Sequence, residues 1–244
     1  MITSSDIHQA KINMVDLTLL LTSTLAVIVA TTITPALPDM ETYFQAVPNV
    51  GFLISLMFTI PLFAIAVFAP PVGYIIDKWG RKKLLLLTTL LYGIASSSGF
   101  FLNSLLLILV GRMLLGLAVA GIMTITTALI ADYYHGDQRN KLMGYQVSIM
   151  SFGVIISYIA GGLLANINWH APFLLYLGSL VLLPLILKFI YEPDLSQQEI
   201  KIEEDEPRTR IKLIIIAYAL MIVFEIIFFL QTRELPFFLS QVVF

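Results

Sequence analysis

The sequence contains no cysteine, and charged residues are scarce for its length. The absence of cysteine excludes a disulfide framework, a thiolate metal site and a cysteine nucleophile. Only 12% of the 244 residues are charged, whereas 58% are hydrophobic. A soluble domain typically carries about 25% charged residues. So few charges cannot cover the water-facing surface of a globule of this size, and the apolar side chains must face something other than water.

The sequence lacks the residues that are typical of several functional classes. The net charge is −2, so there is no basic surface for a nucleic acid. The three histidines, His8, His135 and His170, lie far apart in the chain and predict no metal site. A phosphate-binding loop, a nucleophile elbow and paired carboxylates are also missing. We therefore expect no enzyme activity, no cofactor and no use of ATP by this chain.

Long apolar runs dominate the rest of the sequence, whose mean hydropathy is +0.90. A helix needs roughly 20 apolar residues to cross the hydrocarbon core of a bilayer. Seven runs meet this length, at residues 17–38, 50–76, 84–102, 105–131, 142–165, 171–191 and 211–230. Open sheets cannot stand in lipid, because their edge groups would stay unpaired. The predicted fold class is an all-α, polytopic membrane helix bundle.

The basic residues are distributed asymmetrically between the loops. Twelve of the 14 lie before the first run or in the second, fourth and sixth loops with their flanks. The first, third and fifth loops contain none. Because basic loops stay on the cytoplasmic side, we predict a multi-pass protein of the cell membrane with a cytoplasmic N-terminus.

The chain divides into three predicted regions. Residues 1–191 form a six-helix transmembrane bundle, and residues 211–244 begin a second bundle. Between them, residues 192–210 contain seven acidic and three basic residues, too polar to fold alone. We read this segment as a cytoplasmic linker.

The second loop carries a specific pattern around an acidic residue. It reads Gly73-Tyr-Ile-Ile-Asp77-Lys78-Trp79-Gly80-Arg81-Lys82-Lys83. The acid among four cations is not needed for orientation, and a charge network that re-pairs between two conformations would explain it. The loop resembles the Gly-x-x-x-Asp-Arg-x-Gly-Arg-Arg/Lys motif of the major facilitator superfamily, with Lys78 where Arg is usual.

Two further stretches strengthen the resemblance. Gly111-Arg112-Met-Leu-Leu-Gly116 resembles the Arg-x-x-x-Gly pattern of helix 4. The run from Gly153 to Gly161-Gly162 resembles the glycine motif of the antiporters in helix 5, but Ser157 and Tyr158 stand where Gly and Pro are expected. Shorter similarities occur at residues 33–38, typical of the drug-efflux branch, and at residues 169–173.

The resemblance implies a fold of twelve helices in two halves of six. This chain then corresponds to the N-terminal half plus helix 7 and is apparently truncated, with a C-terminal half expected to be missing. The implied function is a proton-coupled secondary transporter that exports small amphipathic or lipophilic compounds by alternating access. Its partners would be the bilayer, protons and a small-molecule substrate, and the proton gradient would supply the energy. Two alternatives stay open, a proton symporter for sugars or metabolites and a non-transporting remnant.

Two charged residues inside the spans are candidates for proton coupling. Arg112 lies about 12 Å into its span at 1.5 Å per residue, where a charge is costly. Glu225 lies near the middle of the seventh run. Burial would raise the pKa of this carboxyl group, and a nearby arginine would lower it, which suits reversible proton binding.

The remaining candidates line the predicted cavity or the charge network. Thr31 and Thr34 could face the cavity, although threonine in a helix often bonds its own backbone. Asp132 and Arg139 lie where the family completes the network. The network prediction comprises Gly73, Asp77, Gly80, Arg81, Lys82, Asp132 and Arg139. Glycines 153, 161 and 162 are expected to let helices pack closely.

Overall fold

The computed structural model describes residues 4–193 and residues 216, 220 and 223, with side chains given from residue 14 onward except at residue 77. The chain divides into two compact units, Met1–Leu195 and Ser196–Phe244. Within the described residues the first unit consists of helices and connecting turns, without a strand. The predicted all-α fold class is confirmed.

Six of the described helical segments are long and apolar enough to cross a membrane. They are Met14–Tyr43, Val50–Ile76, Arg81–Phe101, Leu105–Tyr133, Gly136–Ala165 and Ala171–Phe189. They coincide with the first six predicted runs and support a multi-pass membrane protein. Apart from residues 216, 220 and 223, the seventh run lies outside the described residues, as do Glu225 and the linker from residue 194 onward.

The first span is broken near its end, where the sequence predicts one continuous run. Helix α1 (Ser4–Thr31) is followed by a 3-10 turn (Thr34–Ala36) and by the short helix α2 (Leu37–Tyr43). Proline stands in the first turn of both short elements. Because proline has no N–H and fixes its own backbone, it starts a new helical segment more readily than it continues one.

Helix α5 (Leu105–Tyr133) is the most buried of the six spans. It packs against α3 (Val50–Trp79) and α4 (Arg81–Phe101). A Cβ atom at Gly116 would collide with the Pro61 carbonyl group on α3, and one at Gly121 would collide with Thr88 on α4. These glycines allow the close backbone contacts that hold helices together in membranes.

Helix α6 (Gly136–Ala165) lies at the edge of the bundle and is the least buried span. It packs along α1 through small and polar residues. The Gln146 side chain donates to Ser23 Oγ over 2.8 Å, and Gly161 lies against the Thr32 backbone. Elsewhere α6 exposes several large apolar side chains, including Phe152 and Ile156.

The sixth span begins as a 3-10 helix (Ala171–Val181) and continues as α7 (Leu182–Phe189). With three residues per turn, side chains three positions apart in a 3-10 helix lie on the same face. Phe173, Tyr176 and Ser179 share such a face and are all buried. This geometry directs Tyr176 toward Arg112.

Candidate functional site

The Arg112 side chain is enclosed in the interior of the bundle. It lies on the second turn of α5 and is 2% exposed. It is among the largest fully buried side chains in the described part of the chain. Since burial of a cation without compensation is costly, the groups around Arg112 decide how its charge is stabilised.

Arg112 and two groups from two other spans form a closed hydrogen-bonded arrangement. Its Nη1 donates to the Val29 carbonyl oxygen on α1 over 3.3 Å and to the Tyr176 hydroxyl over 3.0 Å. The Tyr176 hydroxyl donates in turn to the Val29 carbonyl over 2.9 Å. Val29 and Tyr176 are far from Arg112 in sequence, so this arrangement exists only in the folded bundle.

Aromatic faces provide a second kind of stabilisation. The Arg112 guanidinium carbon lies 5.0 Å from the centre of the Phe173 ring and 5.2 Å from that of Tyr176. Such cation–π contacts are attractive, and more so away from water. The Tyr176 ring also packs edge to face on Tyr92, with ring centres 5.8 Å apart. Phe173 and Tyr176 therefore hold the guanidinium group in one position.

Arg112 nevertheless keeps an unused donor. Its Nη2 is buried and has no hydrogen-bond partner among the described residues. No acidic side chain in the described part of the chain forms an ion pair with Arg112. A buried guanidinium group with a free donor has the chemistry to accept an anionic group, either a carboxylate or part of a substrate.

Thr31 and Thr34 lie near the end of the first span, and both bond their own helix. Thr31 Oγ1 lies 3.2 Å from the Val27 carbonyl oxygen, and Thr34 Oγ1 donates to the Ala30 carbonyl over 2.6 Å. Thr31 also shares a hydrogen bond of 2.6 Å with Ser157 on α6. Ser157, which departs from the antiporter motif, thus links α6 to α1.

A second cluster of charges lies at the end of the bundle where α4 begins, which we call the basic end because it carries Lys78, Arg81, Lys82 and Lys83. Here the Arg81 guanidinium group forms an ion pair with Asp132 on α5. It also donates to the Ala128 carbonyl oxygen over 3.2 Å. The structure thus brings together two residues of the predicted charge network.

Glu192 joins this cluster from the chain that follows α7. Its carboxylate accepts hydrogen bonds from the backbone N–H groups of Arg81 and, over 3.0 Å, Lys82. These N–H groups begin α4, and a carboxylate is favoured there because it meets unpaired donors and the positive end of the helix dipole. The Lys82 ammonium group donates to the Leu187 carbonyl over 2.8 Å. The start of α4 is thus tied to the end of α7.

Gly80 is the residue that permits this contact. Its φ angle is +89°, a region that L-residues with side chains avoid. A Cβ atom there would also lie 3.1 Å from the Glu192 carboxylate. Gly80 is therefore required both for the turn between α3 and α4 and for the approach of the carboxylate.

The other predicted members of the network are placed less closely. Gly73 lies within α3 and has open space around its Cα atom. Asp77 belongs to α3, but its side chain lies outside the described part. Arg139 lies exposed in the first turn of α6 and forms no ion pair with the described acidic side chains. Among the described residues, contacts therefore connect three members of the predicted network, Arg81, Lys82 and Asp132. Glu192, which was not predicted, belongs to the same cluster.

The three glycines of the helix 5 motif have different surroundings. A Cβ atom at Gly161 would collide with the Thr32 carbonyl group, which directly follows α1. One at Gly153 would make an ordinary contact of 3.4 Å with Thr24, and one at Gly162 would lie 3.9 Å from Pro35. Of the three, only Gly161 occupies a position that excludes a larger residue by contact.

Sequence reasoning did not identify Tyr176 or Glu192 as site residues. Tyr176 carried a signal, because a tyrosine inside an apolar span needs a partner for its hydroxyl group. Glu192 was assigned to the linker, because it begins a run of acidic residues. Its contact with the start of α4 depends on the fold and has no local signal.

Known proteins resemble this chain over most of its length. The family model described as Major Facilitator Superfamily matches residues 19–242. The bacillibactin exporter of Bacillus subtilis (strain 168) is 33% identical over 146 residues, which are 57% of this chain and 36% of that protein. Multidrug resistance protein 2 of the same organism is 28% identical over 170 residues, which are 68% of this chain and 41% of that protein.

The similarity extends to solved structures. The crystal structure of a D-xylose–proton symporter superposes with a TM-score of 0.67 at 17% identity, covering 86% of this chain and 52% of that one. The chain spans about two fifths or less of the length of the two curated relatives and about half of this structure. The matching family model and the shared fold agree with the motifs, and the chain belongs to the major facilitator superfamily.

Proposed function

We propose that this chain forms the N-terminal half of a proton-coupled secondary transporter, which exports small amphipathic or lipophilic compounds. The two curated relatives described above are named as an exporter and a multidrug resistance protein, which supports the export direction and the type of cargo. The sequence also offers few polar candidates for a cavity, which favours such cargo over sugars. The proton gradient supplies the energy, without a bound cofactor.

The buried, incompletely paired Arg112 carries the proposal. A charge in the membrane interior is retained at a cost, which makes it a candidate for function by default. Arg112 contacts α1 and the sixth span at once, so a movement of either helix changes its surroundings. The free Nη2 donor is where an anionic group would bind.

Proton coupling follows from competition at this donor. Glu225, which lies outside the described residues, is the proton-binding group proposed from the sequence. A carboxylate that pairs with Arg112 when it is ionised releases Arg112 when it is protonated. Proton binding and cargo binding then favour different arrangements of two helical bundles that rock about a central site, as in alternating access.

The basic-end cluster is the proposed conformational latch. Arg81 pairs with Asp132, while Glu192 caps the start of α4. Such contacts can stabilise one arrangement of the bundles and break in the other. On this proposal the basic end is cytoplasmic, because basic loops remain on that side.

Dye efflux from proteoliposomes under an imposed pH gradient tests the role of Arg112. In the transporter that contains this chain, we expect Arg112→Ala to lower gradient-driven efflux of a lipophilic dye by about 10–100-fold, the factor that matches about 1.5–3 kcal/mol for a hydrogen bond to a charged group. Arg112→Lys keeps the charge but loses the planar donor group, so intermediate activity is expected.

The matched control is Lys83→Ala, which removes an exposed cation of the basic end. Melting temperatures of all variants show whether a loss reflects misfolding. Unchanged efflux in a well-folded Arg112→Ala protein contradicts the proposal. Reversing the pH gradient separates the alternatives, since an antiporter moves dye against the proton flow and a symporter moves its cargo with it.

A further inference from the structure

A pocket of about 630 Å³ opens at the basic end, away from the Arg112 cluster. Its walls come from α1, the end of α5, the start of α6 and the chain after α7. The volume lies within the range of about 300–1,000 Å³ that is usual for small-ligand sites. None of the residues assigned above to the transport site or to the charge network lines it.

Half of the residues that line the pocket are aromatic. The rings are those of Tyr133, Tyr134, Tyr145, Phe189 and Tyr191. Tyr133 and Tyr191 stack with their ring centres 4.3 Å apart. The Tyr133 hydroxyl also donates to the Tyr191 carbonyl oxygen and accepts the Tyr191 N–H over 3.2 Å. This side of the pocket is therefore held in place by both ring and backbone contacts.

The pocket contains one charge of each sign among these rings. Asp16 on α1 accepts a hydrogen bond from the Tyr134 hydroxyl, and Lys141 on α6 is exposed at the opening. Burial and the neighbouring Asp16 carboxylate raise the pKa of Tyr134, so its hydroxyl remains a neutral donor at physiological pH. The fixed charges of the lining are then a carboxylate and an ammonium group.

This combination fits a ligand that itself carries both charges. Aromatic faces and a carboxylate attract an alkylammonium group. A lysine attracts a phosphate group. The pocket lies where the spans end, which is the level of the lipid headgroups, and tyrosines are enriched at that level. We infer that this pocket binds the headgroup of a zwitterionic phospholipid, with its ammonium group at Asp16 and the tyrosine rings and its phosphate group at Lys141.

The charges also disfavour other occupants. A headgroup with a phosphate but no ammonium group would leave the Asp16 carboxylate without a cation and close to negative charge. A soluble organic cation would satisfy Asp16 but would be repelled by Lys141. Only a ligand with both groups pairs each of the two charges.

Lipid binding to the purified chain in detergent, measured by native mass spectrometry, tests this inference. Dioleoyl phosphatidylethanolamine is compared with dioleoyl phosphatidylglycerol, which has the same acyl chains but no ammonium group. We expect the first lipid to bind about tenfold more tightly, as a desolvated cation–π and carboxylate contact allows. Asp16→Asn should remove this preference, and the control Asp137→Asn, an exposed acid at the same end, should keep it.

Asp16→Asn also changes the hydrogen-bond acceptor of the Tyr134 hydroxyl, so a loss of binding could reflect a folding defect. A second variant therefore tests the pocket at a residue whose loss should not affect folding. Tyr145 is 55% exposed at the pocket opening, so Tyr145→Ala should weaken binding of the ethanolamine lipid without lowering the melting temperature. The control is Tyr74→Ala, which removes a 64% exposed tyrosine of α3. If the two lipids bind equally, or if neither pocket variant alters their difference, the inference is overturned.

A soluble molecule with the same two groups distinguishes the lipid from a free ligand. Phosphoethanolamine is added to the lipid-bound chain at increasing concentration. Retention of the lipid at millimolar phosphoethanolamine is expected, because phosphoethanolamine lacks the acyl chains. Displacement by phosphoethanolamine at the concentration of the lipid itself would overturn the assignment in favour of a soluble zwitterion. No transport is measured, so the result is independent of the proposed function.

Discussion

Glu192 joins the basic-end cluster through backbone groups, and this distinguishes it from the other acids there. Its carboxylate receives the N–H groups of Arg81 and Lys82, whereas Asp132 pairs with the Arg81 side chain. A side chain that caps a helix depends on the helix being in place and not on one particular cation. The effect of replacing Glu192 should therefore show how much the contact between the start of α4 and the chain after α7 contributes to stability.

Glu192→Gln should destabilise the bundle modestly. The amide keeps one acceptor oxygen but loses the charge that complements the helix dipole, so we expect a loss of about 0.5–1 kcal/mol. Thermal unfolding in detergent at low ionic strength measures this loss, which should shrink in high salt because the site is exposed. The control is Glu41→Gln, the same change at an exposed acid of α2. Equal melting temperatures for both variants would contradict the capping role.

Arg112 illustrates how a buried charge is accommodated without an ion pair in the described residues. One nitrogen is satisfied by a carbonyl group and a hydroxyl group, and two rings cover the guanidinium plane. A neutral environment of this kind stabilises the cation and leaves it able to bind a further anion. An arginine held in a permanent ion pair would have no such donor left for a further anion.

At the scale of elements, contacts between helices depend on where glycine is placed. Helix α6 contains Gly144, which has open space around its Cα atom, and Gly161, which touches the backbone of Thr32 just after α1. Both lie within the helix, so replacing either glycine by alanine should raise the intrinsic helix propensity by the same amount. A pair of identical substitutions therefore separates packing from helix propensity.

Gly161→Ala should lower the stability of the bundle, and Gly144→Ala should preserve or raise it. The added methyl group at residue 161 would collide with the Thr32 carbonyl group, and overpacking of this kind costs about 1–3 kcal/mol. At residue 144 the methyl group meets nothing, and alanine gains about 0.5–1 kcal/mol over glycine in a helix. Unfolding monitored by circular dichroism compares the two, and equal effects would mean that α6 does not approach α1 closely.

For the molecule as a whole, the membrane orientation is the property that every functional proposal requires. The described helices alternate in direction because short turns join them. Lys83 and Ile167 are exposed and lie at opposite ends of this bundle. Their accessibility from the two sides of the membrane determines the orientation.

The absence of cysteine makes this measurement direct, since single-cysteine variants have no background. We expect Ile167→Cys to react with an impermeant maleimide in intact cells, and Lys83→Cys to react only in inverted vesicles, because basic loops stay cytoplasmic. Both sites should react after solubilisation in detergent. The reverse pattern would contradict the proposed orientation.

The first six spans and the all-α fold class could be predicted because both follow from local composition. Hydrophobic length sets what can cross a bilayer, and a backbone in lipid must satisfy its hydrogen bonds within a helix. The motifs around Arg81 and Arg112 are also local, and their residue spacing is enough to indicate the family. Breaks within the spans were missed, because a proline in an apolar run permits either a kink or a new segment.

The sequence by itself determined that the chain crosses a membrane, where the described spans lie and which family the chain belongs to. Each of these properties depends on residues that are neighbours in the chain. The tertiary structure decided which side chains meet. Arg112 bonds Val29 and Tyr176, which lie 83 and 64 residues away, and Glu192 reaches the start of α4 from 111 residues away. It also decided that Gly161, but not Gly162, must be glycine, and that rings from several helices enclose a pocket. The physical reason is that such contacts depend on distances across packed helices, which no local pattern in the chain encodes.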